Sequence, residues 1–323
     1  MKTHYLGLEL SSPVIVASSP YTASAANIEK CAVHGAGAVV LKSIFEEQVL
    51  RRAAVFDYEP QGMGDSGEYL ERYLSDDYKT RFLHLIRDAR HTGLPVIASI
   101  NCVSAGGGWA DYAAAMADAG ASALELNIFL QPADPYLPAQ EIECQYVEIV
   151  RQVVRTVSVP VSVKLPMRLT NVLSLASALQ RCGARGVVFF NRFFEPDIDI
   201  ERLKFVASDP FSAPSELRNV LRSAALCTSM VPELDLSVST GVHSGEAAVK
   251  ALLCGARAVQ ICTAIHLSGY ESIAEIGRFV DEWANRHGFS SLDEFYGKLD
   301  YGQIGNALFQ RVQYMKYFPA QSE

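Results

Sequence analysis

The chain has 323 residues, 49% of them hydrophobic, enough to bury a large core and too apolar for extended disorder. A net charge of −8 argues against nucleic acid or an anionic membrane surface as partner, while leaving room for a local basic pocket around one phosphate. Seven cysteines, an odd number without a CxxC pair, speak against a disulfide frame or a zinc cluster, and no apolar run reads as a leader or a membrane span. The expectation is a cytoplasmic protein without a metal.

In chain order, apolar runs predict strands at 14–19, 38–43, 96–101, 123–127, 161–166, 187–191, 236–241 and 259–263. Helical spacing falls between them at 78–89, 109–119, 142–157, 172–182, 217–228 and 247–254. Four helix-like stretches end on Gly-Ala, at Gly35-Ala36, Gly120-Ala121, Gly183-Ala184 and Gly255-Ala256, each followed by a short apolar run. Eight helix-to-strand units predict an α/β fold, a closed (β/α)8 TIM barrel of parallel strands, with an open doubly wound sheet as the alternative. One domain is expected over residues 1–323: a barrel to residue 288, then an aromatic tail, 289–323, packed on the barrel or on a partner subunit. Three long connections, 44–76, 128–141 and 192–214, all follow strands and so share one rim, where loops of such barrels form sites.

The predicted strand ends place Ser18, Ser19, Lys42, Ser43, Asn101, Asn127, Lys164, Asn191, Thr240, Gly241 and Thr263 on that rim. Lys164 lies inside Val161-Ser162-Val163-Lys164-Leu165-Pro166, where an unpaired buried ammonium costs roughly several kcal/mol, so a partner anion is expected. Thr240-Gly241 after strand seven and Cys262-Thr263 after strand eight stand where these barrels bind phosphate through backbone N–H groups. A phosphate there, a lysine from strand five and amides from strands three, four and six suit a flavin mononucleotide (FMN) across the mouth. The ammonium would face the edge where reduced flavin gathers negative charge.

These residues fall in segments that resemble the class 1 dihydroorotate dehydrogenases: Pro13-Val-Ile-Val-Ala-Ser-Ser19, Val40-Leu-Lys-Ser43, Ser99-Ile-Asn101, Glu125-Leu-Asn127, Val163-Lys-Leu-Pro166, Phe190-Asn191, Thr240-Gly-Val-His-Ser-Gly245, Leu252-Leu-Cys-Gly-Ala256 and Val259-Gln-Ile-Cys-Thr-Ala264. The resemblance implies a flavin-binding barrel that moves a hydride between flavin N5 and a small planar or carboxylated substrate, dihydroorotate to orotate in pyrimidine biosynthesis, and it implies a homodimer. By it, Lys42 and Lys164 serve catalysis. Ser18, Lys42, Ser43, Asn101, Asn127, Lys164 and Phe190 meet the cofactor, and Thr240, Gly241, Cys262 and Thr263 hold its phosphate. Lys42, Met63, Gly64, Asn127 and Asn191 meet the substrate.

The resemblance breaks after Asn127. The family places there a Ser-Cys-Pro-Asn run, or a serine for the cysteine, whose side chain is the base. This chain has Ile128-Phe129-Leu130-Gln131-Pro132, in which no side chain accepts a proton. The family's loop Asn-Ser-Met-Gly-Leu-Pro-Asn is replaced by Gln61-Gly62-Met63-Gly64-Asp65-Ser66-Gly67. Replacement bases on or near rim loops are Cys102, the first choice, with Asp134, Tyr136 and His243. Arg192 is read either as a carboxylate clamp or as the ion-pair partner of Glu195 or Asp197. Two rival functions stay open: a sugar-phosphate lyase or isomerase using Lys42 or Lys164, and a flavin-binding paralogue without catalysis.

Overall fold

Leu6 and Gly7 both take left-handed backbone, with φ of 57° and 76°, and fold β1 (Thr3–Tyr5) back on β2 (Leu8–Leu10) as an antiparallel hairpin. The computed structural model describes residues 1–45, 77–102, 109–130, 134–192 and 196–301, with 312 and 315. Eight parallel strands follow the hairpin: β3 (Val14–Val16), β4 (Ala38–Val40), β6 (Val96–Cys102), β7 (Ala123–Ile128), β8 (Val161–Pro166), β9 (Gly186–Asn191), β12 (Asp235–Ser239) and β13 (Ala258–Ile261). Because β4 pairs with β3 on one side and β6 on the other, the sheet has no free edge and closes as a barrel. The closed barrel is the expected architecture, and the open sheet is excluded.

Between the strands run α1 (Ala25–Val33), α2 (Asp77–Arg90), α3 (Trp109–Asp118), α4 (Ala139–Thr156), α5 (Val172–Arg181), α6 (Leu217–Met230), α7 (Gly245–Leu253), α8 (Thr263–Ser268) and α9 (Glu271–Arg286). Gly35, Gly120, Gly183 and Gly255 all have positive φ, between 81° and 104°, at the ends of α1, α3, α5 and α7. The Gly-Ala signal therefore marked real helix ends.

Strand parity sorts the core into two layers. Val96, Ala98, Ile100 and Cys102 of β6, like Val161, Val163 and Leu165 of β8, face the surrounding helices. Residues of the opposite parity point into the bore, and at its floor Ile15, Ala38, Val40, Ile97, Ala123 and Ala258 pack against Tyr5, Leu6 and Leu10 of the hairpin. The hairpin closes one end of the bore, so the other end is the mouth. Past α9, Phe289 and Phe295 pack on Trp283, and the Gly297 and Leu299 N–H groups donate to carbonyls of Leu252 and Leu253.

Several expected boundaries move. The strands predicted at 14–19 and 38–43 end at Val16 and Val40, and Thr263 opens α8 instead of ending a strand. The connection after β9 carries an unexpected antiparallel hairpin, β10 (Pro196–Asp199) with β11 (Lys204–Ala207). Its Ile198 and Phe205 stand largely exposed, so no buried face imposed the alternation by which strands are recognised.

Candidate active site

Two irregularities in the barrel wall aim the site residues. The second stave is interrupted: β4 and the short β5 (Ile44–Phe45) pair with the same edge of β6, with one more residue on their side than on β6. Lys42 and Ser43 sit on that bulge. A second extra residue, Phe190, lies opposite the Leu165–Pro166 step of β8 and brings Asn191 level with Pro166. Bulges re-aim side chains at barrel rims.

A chain of contacts then runs around the mouth. The Ser18 hydroxyl accepts from the Ser43 N–H at 2.9 Å, and Ser43 Oγ lies 2.8 Å from Ser99 Oγ. Asn101 stands beside Asn127 across β6 and β7, and Asn127 beside Lys164 across β7 and β8. Asn191 Nδ2 donates to Asn127 Oδ1 at 2.9 Å, and Thr240 Oγ1 donates to the Phe190 carbonyl at 3.0 Å. Burial pushes the Cys262 thiol up, opposed by the Ser19 hydroxyl and by the positive charges of Lys164 and Lys42. Among the described residues the half-buried Lys42 ammonium makes no hydrogen bond or ion pair.

Lys164, only 7% exposed, meets no anion directly among the described residues. Its Nζ donates to Gln260 Oε1 at 3.1 Å, and Gln260 Nε2 donates to Glu125 Oε2 at 2.6 Å. Gln260 and Glu125 were missed at the sequence level, though both lie in buried strands with inward parity, and the argument that singled out Lys164 applies equally to them.

The two turns expected to hold phosphate lie together, bridged by Ser212, a residue that sequence reading left inside a long connection. The Ser212 N–H donates to Thr263 Oγ1 at 3.3 Å, its hydroxyl lies 2.8 Å from His243 Nε2, and the Gly241 N–H donates to that hydroxyl at 3.4 Å. Burial holds His243 below the usual imidazole range against the pull of Glu216, which keeps the ring neutral and able to share that hydrogen bond near pH 7. Gly241, at φ 78°, passes so close to α6 that a Cβ would meet the Leu217 nitrogen at 2.5 Å. Thr240 also has φ 78°, a strained conformation for a β-branched residue.

Other candidates stand elsewhere. Cys102 is fully buried on the helix-facing side of β6, because strand parity turns it away from the bore that Asn101 faces. Tyr136 and Asp134 lie exposed, with the Tyr136 N–H donating to Asp134 Oδ1. The Phe190 ring is buried and stacked on Phe189. Arg192 pairs with Glu216 at 3.5 Å and donates to the Asp209 carbonyl at 2.8 Å; Glu195 lies outside the described residues. Met63, Gly64 and the rest of the 61–67 loop, with Gln131 and Pro132, also lie outside them.

The profile of the family described as dihydroorotate dehydrogenase matches residues 1–282, most of the chain and every barrel strand. The chain belongs to the dihydroorotate dehydrogenase family. It is 28% identical over 313 residues to a dihydroorotate dehydrogenase B (NAD(+)) catalytic subunit of Pyrococcus abyssi, covering 92% of this chain and 98% of the relative. It is 30% identical over 298 residues to the protein of the same name from Methanosarcina acetivorans, covering 90% and 93%. A putative dihydroorotate dehydrogenase A (fumarate) of Aeropyrum pernix is 28% identical over 220 residues, 66% of this chain and 70% of the relative. Membership makes the chain an oxidoreductase of the class that acts on CH–CH bonds, with its substrate left open. No helix among the described residues is long and apolar enough to cross a membrane.

Proposed function

We propose that this protein is an FMN-dependent oxidoreductase that exchanges a hydride with a small planar or carboxylated substrate at the barrel mouth. Lys164 stands beside Asn127 across β7 and β8, Asn127 shares a hydrogen bond with Asn191, and Lys42 sits on the bulge between β4 and β5; that grouping of cations and amides at the strand ends carries the proposal. The donor set fits FMN: amides can serve both donors and acceptors of a flavin ring, and the Thr240-Gly241 and Thr263 turns, with the Ser212 hydroxyl, suit a phosphate. Ser18, Ser43, Asn101 and Cys262 complete the wall around it. FMN, when bound, supplies the two-electron acceptor.

The chain's own residues supply position and charge. Lys164 places a cation where negative charge develops on hydride transfer, and the wall around it lowers the local dielectric and strengthens that effect. Lys42, on its bulge, is placed to meet a carboxylate of the substrate. Asn127 and Asn191, each fixing the other's amide, align the substrate for reaction.

Dihydroorotate is the first substrate to test, as part of a pyrimidine-biosynthetic role in the cytoplasm. With Ile128, Phe129 and Leu130 following Asn127, the general-base contribution of about 10²–10⁴-fold is expected to be missing for that substrate unless a residue elsewhere supplies it. Assay of the FMN-loaded protein against dihydroorotate and other dihydropyrimidines, with the parent and Leu130→Cys, tests this. Gain of dihydroorotate oxidation by Leu130→Cys supports a pocket changed only in its base; turnover of a different substrate by the parent reassigns the substrate. Trapping of Lys42 or Lys164 by borohydride with a carbonyl compound, in a protein without FMN affinity, overturns the reading in favour of a lyase.

A further inference from the structure

The bore beneath the mouth is crossed by a polar chain that the site chemistry described so far does not use. Glu125 on β7 and Gln260 on β13 rise from opposite walls, since β8, β9 and β12 separate those strands along the barrel. Glu125 is fully buried and Gln260 is 2% exposed. Glu125 Oε2 accepts from Gln260 Nε2, while Glu125 Oε1 makes no hydrogen bond among the described residues. A buried carboxyl with one oxygen unpaired among the described residues is unfavourable for folding alone, which points to a task.

The donor and acceptor inventory identifies the task. An ammonium can only donate, so Lys164 requires the Gln260 carbonyl oxygen, and this turns the Gln260 NH2 to the Glu125 Oε2 that accepts from it. Both contacts therefore share the same amide orientation, and a flipped amide would set donor against donor and acceptor against acceptor. We propose that Glu125, acting through Gln260, is a positioning residue for Lys164. It locks the amide so that a carbonyl oxygen anchors the ammonium from below, and it supplies the balancing charge that keeps the ammonium aimed at the mouth. The functional consequence rests on the FMN reading above.

The test compares Glu125→Gln with the parent in the FMN-loaded protein, reading the flavin reduction potential and the affinity for sulfite, which adds to flavin and responds to positive charge at its edge. A neutral amide at position 125 no longer dictates the Gln260 orientation. The expected result is a fall in potential of about tenfold in the reduced-to-oxidised ratio, ~30 mV for a two-electron couple, with weaker sulfite binding. In a Lys164→Met background the same substitution should change neither quantity, because it acts through that lysine. A rise in potential, as removal of a buried negative charge acting through space would give, overturns the proposal, as does an unchanged potential or an equal effect without Lys164.

If Glu125→Gln does not fold, Glu125→Met combined with Gln260→Met replaces both partners by apolar groups and should lower the potential in the same way. A readout without flavin separates this proposal from the functional reading. In the apoprotein labelled with 15N at glutamine side chains, Gln260 should show one sharp NH2 pair, assigned by its loss in Gln260→Met, that broadens or doubles in Glu125→Gln. An unchanged pair overturns the lock whatever the cofactor. A parent that binds no FMN overturns the functional reading alone.

Discussion

At the scale of single residues, the site is a matter of charge and strain. Lys164 lies where an unbalanced cation is costly, and its placement above the Gln260–Glu125 pair shows how the barrel tolerates it. Lys164→Ala should weaken FMN retention and lower the flavin reduction potential by about tenfold in the reduced-to-oxidised ratio, measured by dye-linked redox titration. Thr240 combines a left-handed backbone with a hydrogen bond to the Phe190 carbonyl. Thr240→Ala loses that bond and keeps the strain, so urea unfolding should show a loss of about 1 kcal/mol. Thr240→Gly relieves strain of about 1–3 kcal/mol and should be the more stable of the two variants. Lys42 and Asn127 drew attention in the sequence as polar residues closing an apolar run, and Lys164 as a cation inside one. Glu125 and Gln260 were not read, because attention to strand ends passes over the middle of the bore. Cys102 was misplaced by a single step of parity, since the residue after an inward asparagine faces the helices.

At the scale of elements, loops carry what strands cannot. The connection from β9 to α6 delivers Ser212 between the Thr240-Gly241 and Thr263 turns, and its approach is so close that Gly241 has no room for a side chain beside Leu217. Gly241→Val should displace the start of α6, destabilise the protein by more than about 1–2 kcal/mol and abolish FMN retention, as read by thermal unfolding and filter retention of flavin. Ser212→Ala should leave the fold intact and weaken FMN binding several-fold, since only one bridging hydroxyl is lost. The helix ends were plain in the sequence because Gly-Ala pairs give a local chemical signal, confirmed by the positive φ of Gly35, Gly120, Gly183 and Gly255. The bulge under Lys42 and the β10–β11 hairpin were hidden. A bulge depends on how two strands align, and an exposed hairpin lacks the alternation that burial imposes.

At the scale of the whole molecule, closure ties the N-terminal hairpin to the floor of the barrel through Asp235, whose Oδ2 accepts from the Leu6 N–H at 2.7 Å. Burial pushes the Asp235 carboxyl up, against the opposing hydrogen bond from Leu6 and the charges of Arg257 and Arg185. The folded protein therefore holds that proton more tightly than the unfolded chain. Its contribution to stability is greatest below the ordinary carboxylate range and is lost as pH rises through the raised value. Asp235→Asn should flatten that segment of the stability–pH curve, measured by urea unfolding across acidic pH. We further propose a homodimer, supported by the exposed Ile198, Ile200, Leu203 and Phe205 of the β10–β11 region; light scattering should give twice the chain mass, and charged substitutions there should halve it. The account as a whole is tested most directly by denaturing the purified, FMN-reconstituted protein and quantifying the released flavin per chain. It predicts one FMN per chain, lost when Lys164 and Gly241 are replaced. A protein that retains no FMN, or retains it equally well without those residues, contradicts it.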